Sequence, residues 1–335
     1  MTAVNPLHPS IIPKLDPEFA AYWNANSQYQ LGPHQVPWDP AIRKNPPVVG
    51  ASEPLKVGLT KDIRLSKFFI RVCWPENPSK APEDGWPVFL FFHGGGWTLG
   101  SIDTENHFSS HMCLKANCVV VSVDYRLGPE EPYPAAVEDA KEAFQWVLEH
   151  GWSDLKVNTA RFAVGGSSSG ANLAAIITHK ASLSKPPIPL AFQVLVVPVT
   201  DNTASVSGPY ASWQENRDTP ALTPEKMHWF RNNYSPNPDD WKKWDNSPIF
   251  APEESFSKVP DAWVGVCELD ILRDEGIAYA EKLEKAGHKV ELKVYKGSPH
   301  PIMAMDGDVL QSGRDLIADA ANALKRAFHG DSIES

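Results

Sequence analysis

The sequence predicts an α/β fold built on a doubly wound, mainly parallel sheet, and three features predict it. A continuous apolar run at 87–92 and a second run at 118–123, apolar except for Ser122, read as buried strands. Helical patterns alternate with such runs through most of the chain, as crossovers between parallel strands require. One strand-to-helix corner, at 165–170, is made only of glycine and serine, and such corners are where an open α/β sheet presents reactive groups.

In chain order, residues 1–50 carry Pro6, Pro9, Pro13, Pro17, Pro33, Pro37, Pro40, Pro46 and Pro47, which break any long regular element. Short helices fit 16–29. Phe19, Tyr22, Trp23 and Trp38 make the stretch read as an arm packed over another part of the molecule, since disordered tails are poor in large apolar residues. Residues 57–65 and 67–74 form an antiparallel hairpin pattern. Strand 87–92, helix 104–116, strand 118–123, helix 135–150, strand 161–164, helix 168–182 and strand 191–197 follow. The alternation stops at 201–252, where Trp213, Trp229, Trp241 and Trp244 accompany Met227, Phe230 and Tyr234 in short pieces punctuated by proline, as in an insertion. It resumes with strand 262–267, helix 273–286, strand 289–295 and helix 309–327. No internal repeat or low-complexity tract is visible.

Composition bounds the function. A chain of 335 residues, 42% hydrophobic, can bury one large α/β core without disulfides. Its net charge of -10, from 41 acidic and 31 basic residues, argues against nucleic acid or an anionic membrane surface as the main partner. Cys73, Cys113, Cys118 and Cys267 sit in or beside apolar runs without CxxC spacing, which reads as buried free thiols in a reducing compartment. The first residues lack a basic segment followed by an apolar run, and no stretch is long enough to span a bilayer. A cytoplasmic protein without stable membrane insertion is expected. The oligomeric state is open, a homodimer included.

The chemistry collects where strands end. Gly166-Ser167-Ser168-Ser169-Gly170 fits the G-x-S-x-G elbow, in which small residues on both sides let a strained serine expose its hydroxyl at the strand tip. Ser167 and Ser169 compete as nucleophile, but glycine at minus two and plus two selects Ser168. After strand 87–92, the glycines Gly94, Gly95 and Gly96 leave backbone N–H groups unobstructed and, with the N–H of Ser169, suit an oxyanion hole. Asp270 follows strand 262–267 and His300 follows strand 289–295. The order serine, acid, histidine matches a hydrolase triad. Asp274 competes with Asp270 for the acid role, but Asp270 is nearer the strand end, and Asp274 reads as a helix N-terminal charge. His107 and His111, four apart on a helix, lack a third metal ligand and read as packing or surface residues.

These motifs resemble the hormone-sensitive-lipase family of α/β-hydrolase esterases. His93-Gly94-Gly95-Gly96-Trp97 is similar to its HGGG motif, 123–130 resembles its VDYRLAPE segment, and 270–275 resembles its DPLRDE block. The resemblance covers about 57–328. It implies an α/β-hydrolase fold with a helical cap: 1–50 and 201–252 form the cap, 51–200 and 253–330 the core. Arg126 and Glu130 could contact substrate, but the resemblance implies a buried structural pair between them. The chain departs from the family where GDSAG is usual, having Ser167 in place of the acid, and in Pro301 after His300, where glycine is common.

The expected activity is hydrolysis of short to medium acyl esters, with Ser168 as nucleophile, His300 as base and Asp270 orienting it, and with no metal or organic cofactor. Trp97, Ser167, Trp213, Met227 and Phe230 are candidates for the substrate pocket. The cap aromatics have two open readings, lining an acyl pocket or packing the cap. Lactone, amide or thioester cleavage and acyl transfer remain alternatives on the same triad. A non-catalytic ligand receptor is another, although the receptors that resemble this family have lost the histidine.

Overall fold

The computed structural model describes residues 2–44, 50–307 and 309–330. Met1, Pro46 and Pro47 of the N-terminal reading lie outside the described residues. The strands are β1 (Leu59–Arg64), β2 (Phe69–Trp74), β3 (Trp86–Phe92), β4 (Val119–Asp124), β5 (Val157–Ser167), β6 (Phe192–Val196), β7 (Ala262–Cys267) and β8 (Val290–Tyr295). Among the described residues these eight form one sheet, in the order β1, β2, β4, β3, β5, β6, β7, β8. β2 runs antiparallel to β1 and β4; all other neighbours are parallel. This is the α/β-hydrolase fold.

The helices are α1 (Pro17–Ala25), α2 (Asn106–Lys115), α3 (Ala135–His150), α4 (Ser169–Leu183), α5 (Ala211–Glu215), α6 (Pro224–Tyr234), α7 (Glu253–Phe256), α8 (Arg273–Lys285) and α9 (Gln311–His329). The strand period decides which helix meets which face. Val88, Leu90 and Phe92 of β3 pack in one core with α3, α4 and α8. Phe89 and Phe91 point the other way, into a core with α2, α9 and Phe19 of α1. β3 is buried along its whole length, as a central parallel strand should be. Each of its phenylalanines contributes roughly 1.5–3 kcal/mol by leaving water.

β5 extends over Val157–Ser167, beyond the expected 161–164. Gly165 and Gly166 read as turn residues in the sequence, yet they continue the ladder opposite Phe91 and Phe92 of β3. A side chain on Gly165 would place Cβ 2.6 Å from the Phe89 ring, so glycine here permits close packing of the strand.

The arm begins its helix where Asp16 accepts the Glu18 N–H at 2.8 Å and Pro17 takes the first position. The Trp23 indole donates to the Asn5 carbonyl at 2.8 Å, closing the arm on itself. Leu7, Ile11, Leu15 and Phe19 are buried against the α9 side of the core. The four cysteines are free and buried, and burial raises the thiol pKa of each. No helix among the described residues is long and apolar enough to cross a membrane.

The pairing of Arg126 with Glu130 is corrected. Arg126 grips buried Asp139 of α3, with Nη2 2.8 Å from Oδ1, while Glu130 accepts Arg43 Nη2 at 2.6 Å and the Trp38 indole at 3.2 Å. Asp139 is 1% exposed, and an unpaired carboxylate there would be costly, whereas Glu130 lies at the surface within reach of the arm.

Candidate active site

β5 ends and α4 begins within two residues, and Ser168 absorbs the turn at φ 52, ψ -116, a strained conformation for a side-chain-bearing residue. The Ser168 N–H donates to the Val196 carbonyl at 2.8 Å and its carbonyl accepts the Asn172 N–H at 3.1 Å, so neighbouring elements hold the strain. Glycine at 170 is required by proximity: a Cβ there would lie 2.0 Å from the Phe92 carbonyl oxygen.

Three strand ends converge. His300 Nε2 lies 2.9 Å from Ser168 Oγ, and His300 Nδ1 lies 2.6 Å from Asp270 Oδ2. Asp270 is 1% exposed, and its other oxygen accepts the Leu272 N–H at 3.0 Å, which fixes the carboxylate plane. Asp274 is occupied elsewhere, accepting the Ser212 N–H at 2.7 Å and the Arg273 Nε at 2.7 Å.

Gly95 and Gly96 adopt φ 121 and 60, and among the described residues no acceptor engages their N–H groups. A Cβ on Gly95 would sit 2.2 Å from the Leu99 carbonyl oxygen. Ser169 opens α4, where N–H groups have no intrahelical partner. Gly94 differs from the expectation: its N–H donates to Glu105 Oε2 at 3.2 Å and is therefore not free.

Glu105 was invisible to sequence reasoning. It lies just before α2, 62 residues from Ser167, yet Ser167 Oγ is 2.7 and 2.9 Å from its two oxygens. Burial pushes the Glu105 carboxyl up to about 7, against the opposing pull of Ser167 and the Gly94 N–H. The available signal was the missing acid in the elbow, which left a polar residue without a local partner.

A cavity of about 830 Å³ contains Ser168 and His300 in its lining. Tyr22 and Trp23 of the arm and Met227 and Phe230 of α6 line it, and Ser167 also lines it. Lys226 is a further lining residue; its ammonium donates to the Ala221 carbonyl at 2.8 Å, and burial lowers its pKa to about 8. Trp97 and Trp213 are corrected, for neither lines the cavity. Trp97 is fully buried and stacked on Tyr234 at 4.1 Å. The Trp213 indole donates to Glu275 Oε2 at 3.2 Å, where burial lifts the carboxyl pKa to about 8. The aromatic residues of 1–44 and 201–252 thus divide between lining, as Tyr22, Trp23 and Phe230 do, and packing, as Trp213 does.

Three other histidines, His93, His107 and His111, are buried or half-buried. The His93 ring stacks on Tyr125 at 4.3 Å, with Nδ1 2.7 Å from the Gly94 carbonyl. His107 Nε2 lies 3.2 Å from the Met303 carbonyl and 3.5 Å from Asp306, and His111 is half-buried. Among the described residues no three His, Cys, Asp or Glu side chains are grouped to hold a metal ion.

Known proteins share this arrangement of elements. The alpha/beta hydrolase fold family matches residues 89–304. An AB hydrolase superfamily protein of Schizosaccharomyces pombe is 45% identical over 336 residues, covering 96% of this chain and 97% of its own. Carboxylesterase NlhH of Mycobacterium tuberculosis is 37% identical over 270 residues, covering 79% of this chain and 80% of its own. Among solved structures, a thermostable esterase from Pseudomonas putida matches with a TM-score of 0.83 and 32% identity, over 95% of this chain and 98% of that one. The chain belongs to the hormone-sensitive-lipase-like, carboxylesterase-type family of α/β hydrolases.

Proposed function

We propose that the chain is a serine carboxylesterase that hydrolyses short to medium acyl esters through an acyl-enzyme. The observation carrying this reading is the relay from Ser168 Oγ to His300 Nε2 at 2.9 Å and from His300 Nδ1 to Asp270 Oδ2 at 2.6 Å. With Nδ1–H donating to Asp270, Nε2 is left as an acceptor, the tautomer a general base needs. His300 takes the hydroxyl proton as Ser168 Oγ attacks the ester carbonyl carbon. The carbonyl oxygen becomes an oxyanion and accepts the N–H groups of Gly95, Gly96 and Ser169, each worth about 3 kcal/mol of barrier. As the tetrahedral species collapses, the carbon–oxygen bond to the alcohol breaks and His300 returns its proton to the departing oxygen. Water, activated by His300, repeats the sequence on the acyl-enzyme and releases the acid.

The division into cap and core is part of the same proposal. Residues of the arm and of 201–252 line one cavity above Ser168, which supports reading 1–50 and 201–252 as a joint cap over 51–200 and 253–330. The substrate class follows from that enclosure, a small ester whose acyl or alcohol part fits between Tyr22, Trp23, Met227 and Phe230.

A panel of p-nitrophenyl esters of graded acyl length, assayed with the wild type and Ser168→Ala, tests the reading. Turnover by the wild type alone is expected. Hydrolysis of none of the panel would move the assignment to another acyl reaction, and activity surviving in Ser168→Ala would reject the nucleophile.

A further inference from the structure

Ser167 occupies the elbow position where the family usually has an acid, and the carboxylate beside it comes from another part of the chain. Glu105 lies between the two loops that matter for the reaction. Its Oε1 and Oε2 are 2.7 and 2.9 Å from Ser167 Oγ, next in sequence to Ser168. Oε2 also accepts the N–H of Gly94 at 3.2 Å, next in sequence to Gly95. The contact is close on all sides, since a Cβ on Gly94 would lie 2.6 Å from Ser167 Oγ and 3.2 Å from Glu105 Oε1. Glu105 is 7% exposed, and the groups that stabilise its charge are the Ser167 hydroxyl and the Gly94 N–H. A buried carboxylate supported only by hydrogen-bond donors is costly, and it persists here at the junction of nucleophile and oxyanion loops.

We propose that Glu105 is a positioning residue that ties the oxyanion loop to the nucleophile elbow, replacing from α2's leading edge the acid absent at position 167. The proposal rests on the reading of Gly95, Gly96 and Ser169 as oxyanion donors. By holding Gly94 and Ser167 to one carboxylate, Glu105 fixes the distance between the Gly95–Gly96 amides and Ser168 Oγ. Its ionised form accepts all three contacts. A protonated carboxyl would present its own hydrogen toward Ser167 and loosen the clamp. Burial pushes this carboxyl up to about 7, so the clamp weakens as pH falls through that region. The titratable groups at the neighbouring strand ends are Tyr125, whose phenol donates to the His93 carbonyl at 2.7 Å, and His93, stacked on Tyr125 at 4.3 Å. His300 lines the same cavity.

The test is the pH dependence of kcat and KM for a p-nitrophenyl ester in Glu105→Gln, Glu105→Asp, Ser167→Ala and the Glu105→Gln/Ser167→Ala double variant, each with its thermal midpoint. Glu105→Gln should lower kcat about tenfold or more while KM stays within about twofold, because the donors act on the transition state. Glu105→Asp should recover part of the loss, and the double variant should be no worse than the poorer single one. The acid limb of the wild-type kcat profile should need two ionisations, and that of Glu105→Gln one. A Glu105→Gln enzyme within about twofold of wild-type kcat overturns the proposal. So does a loss of kcat that tracks the thermal midpoint and leaves the shape of the pH profile unchanged. Should Glu105→Gln not fold, a single-ionisation wild-type profile together with unimpaired Ser167→Ala overturns it equally. A wild type inactive on every ester would instead sink the esterase reading, a result distinguishable from an active wild type indifferent to position 105.

Discussion

His300 Nε2 lies 2.9 Å from Ser168 Oγ, although 132 residues separate them along the chain. The contact exists because β5 and β8 lie in the parallel part of one sheet and end on the same edge, so the turns after them open into one cavity. Ser168 Oγ bonds the acyl carbon in the first half-reaction and releases it in the second, and His300 takes and returns a proton in each, so replacing either partner disables both. Ser168→Ala and His300→Ala should each lower kcat/KM by roughly 10⁴-fold or more, with unchanged folding. Mass spectrometry after phosphonate treatment checks the nucleophile, with an adduct expected on Ser168 in the wild type and none in Ser168→Ala.

Gly96 admits no side chain. At φ 60 its Cβ would fall 2.2 Å from Phe230 Cγ, so Gly96→Ala must displace the loop or the α6 ring. A shift of that size at an oxyanion donor should lower kcat by roughly 10²-fold, with a smaller effect on KM. Steady-state kinetics decide; an unimpaired Gly96→Ala enzyme would remove residue 96 from the oxyanion hole.

Cavity shape should set acyl preference. Phe230→Ala removes a ring that borders both Gly96 and the cavity, and the preferred acyl chain should lengthen. Stability should fall by about 3 kcal/mol, the usual cost of truncating a buried phenylalanine. Trp23→Ala tests the arm's part of the lining in the same assay, and a chain-length profile identical to the wild type's in both variants would separate the cavity from substrate binding.

His179 should shape the acid limb of stability. It sits on α4, with Nδ1 2.8 Å from Ser255 Oγ of α7 and Nε2 2.9 Å from Tyr279 Oη of α8, and burial holds its pKa down to about 3. Because the folded pKa lies below the ordinary 6.5, the unfolded chain binds the proton first. This contribution to stability is therefore whole above about 6.5 and is lost as pH falls toward 3. His179→Gln should be less stable at neutral pH and show a shallower decline on acidification. Denaturant titrations between pH 4 and 7 check it, and parallel curves for the two proteins would contradict the assignment.

Much of the fold was legible because its signals are local. The apolar run ending at Phe92 announces a strand buried on both faces, and the parallel order follows from the helices between such runs. The elbow was legible for the same reason, since Gly166 and Gly170 act within two residues of Ser168. Trp97 and Trp213 were misplaced because an aromatic residue has the same composition signal whether it lines a cavity or stacks on Tyr234. Arg126 was paired with Glu130 on the resemblance to the family, whereas the buried carboxylate of Asp139, on the next helix, is the partner it meets.

By itself the sequence determined the strand and helix pattern, the identity of the turn-borne groups and their chain order, since periodicity, glycine placement and residue chemistry act between near neighbours. Only the tertiary structure decided that the hydroxyl of Ser168 and the imidazole of His300 meet, that Gly94 is drawn off to Glu105, and which aromatic residues face the cavity. The first two join residues 132 and 11 positions apart. Strand order, register and side-chain packing set them, and no local pattern encodes those quantities.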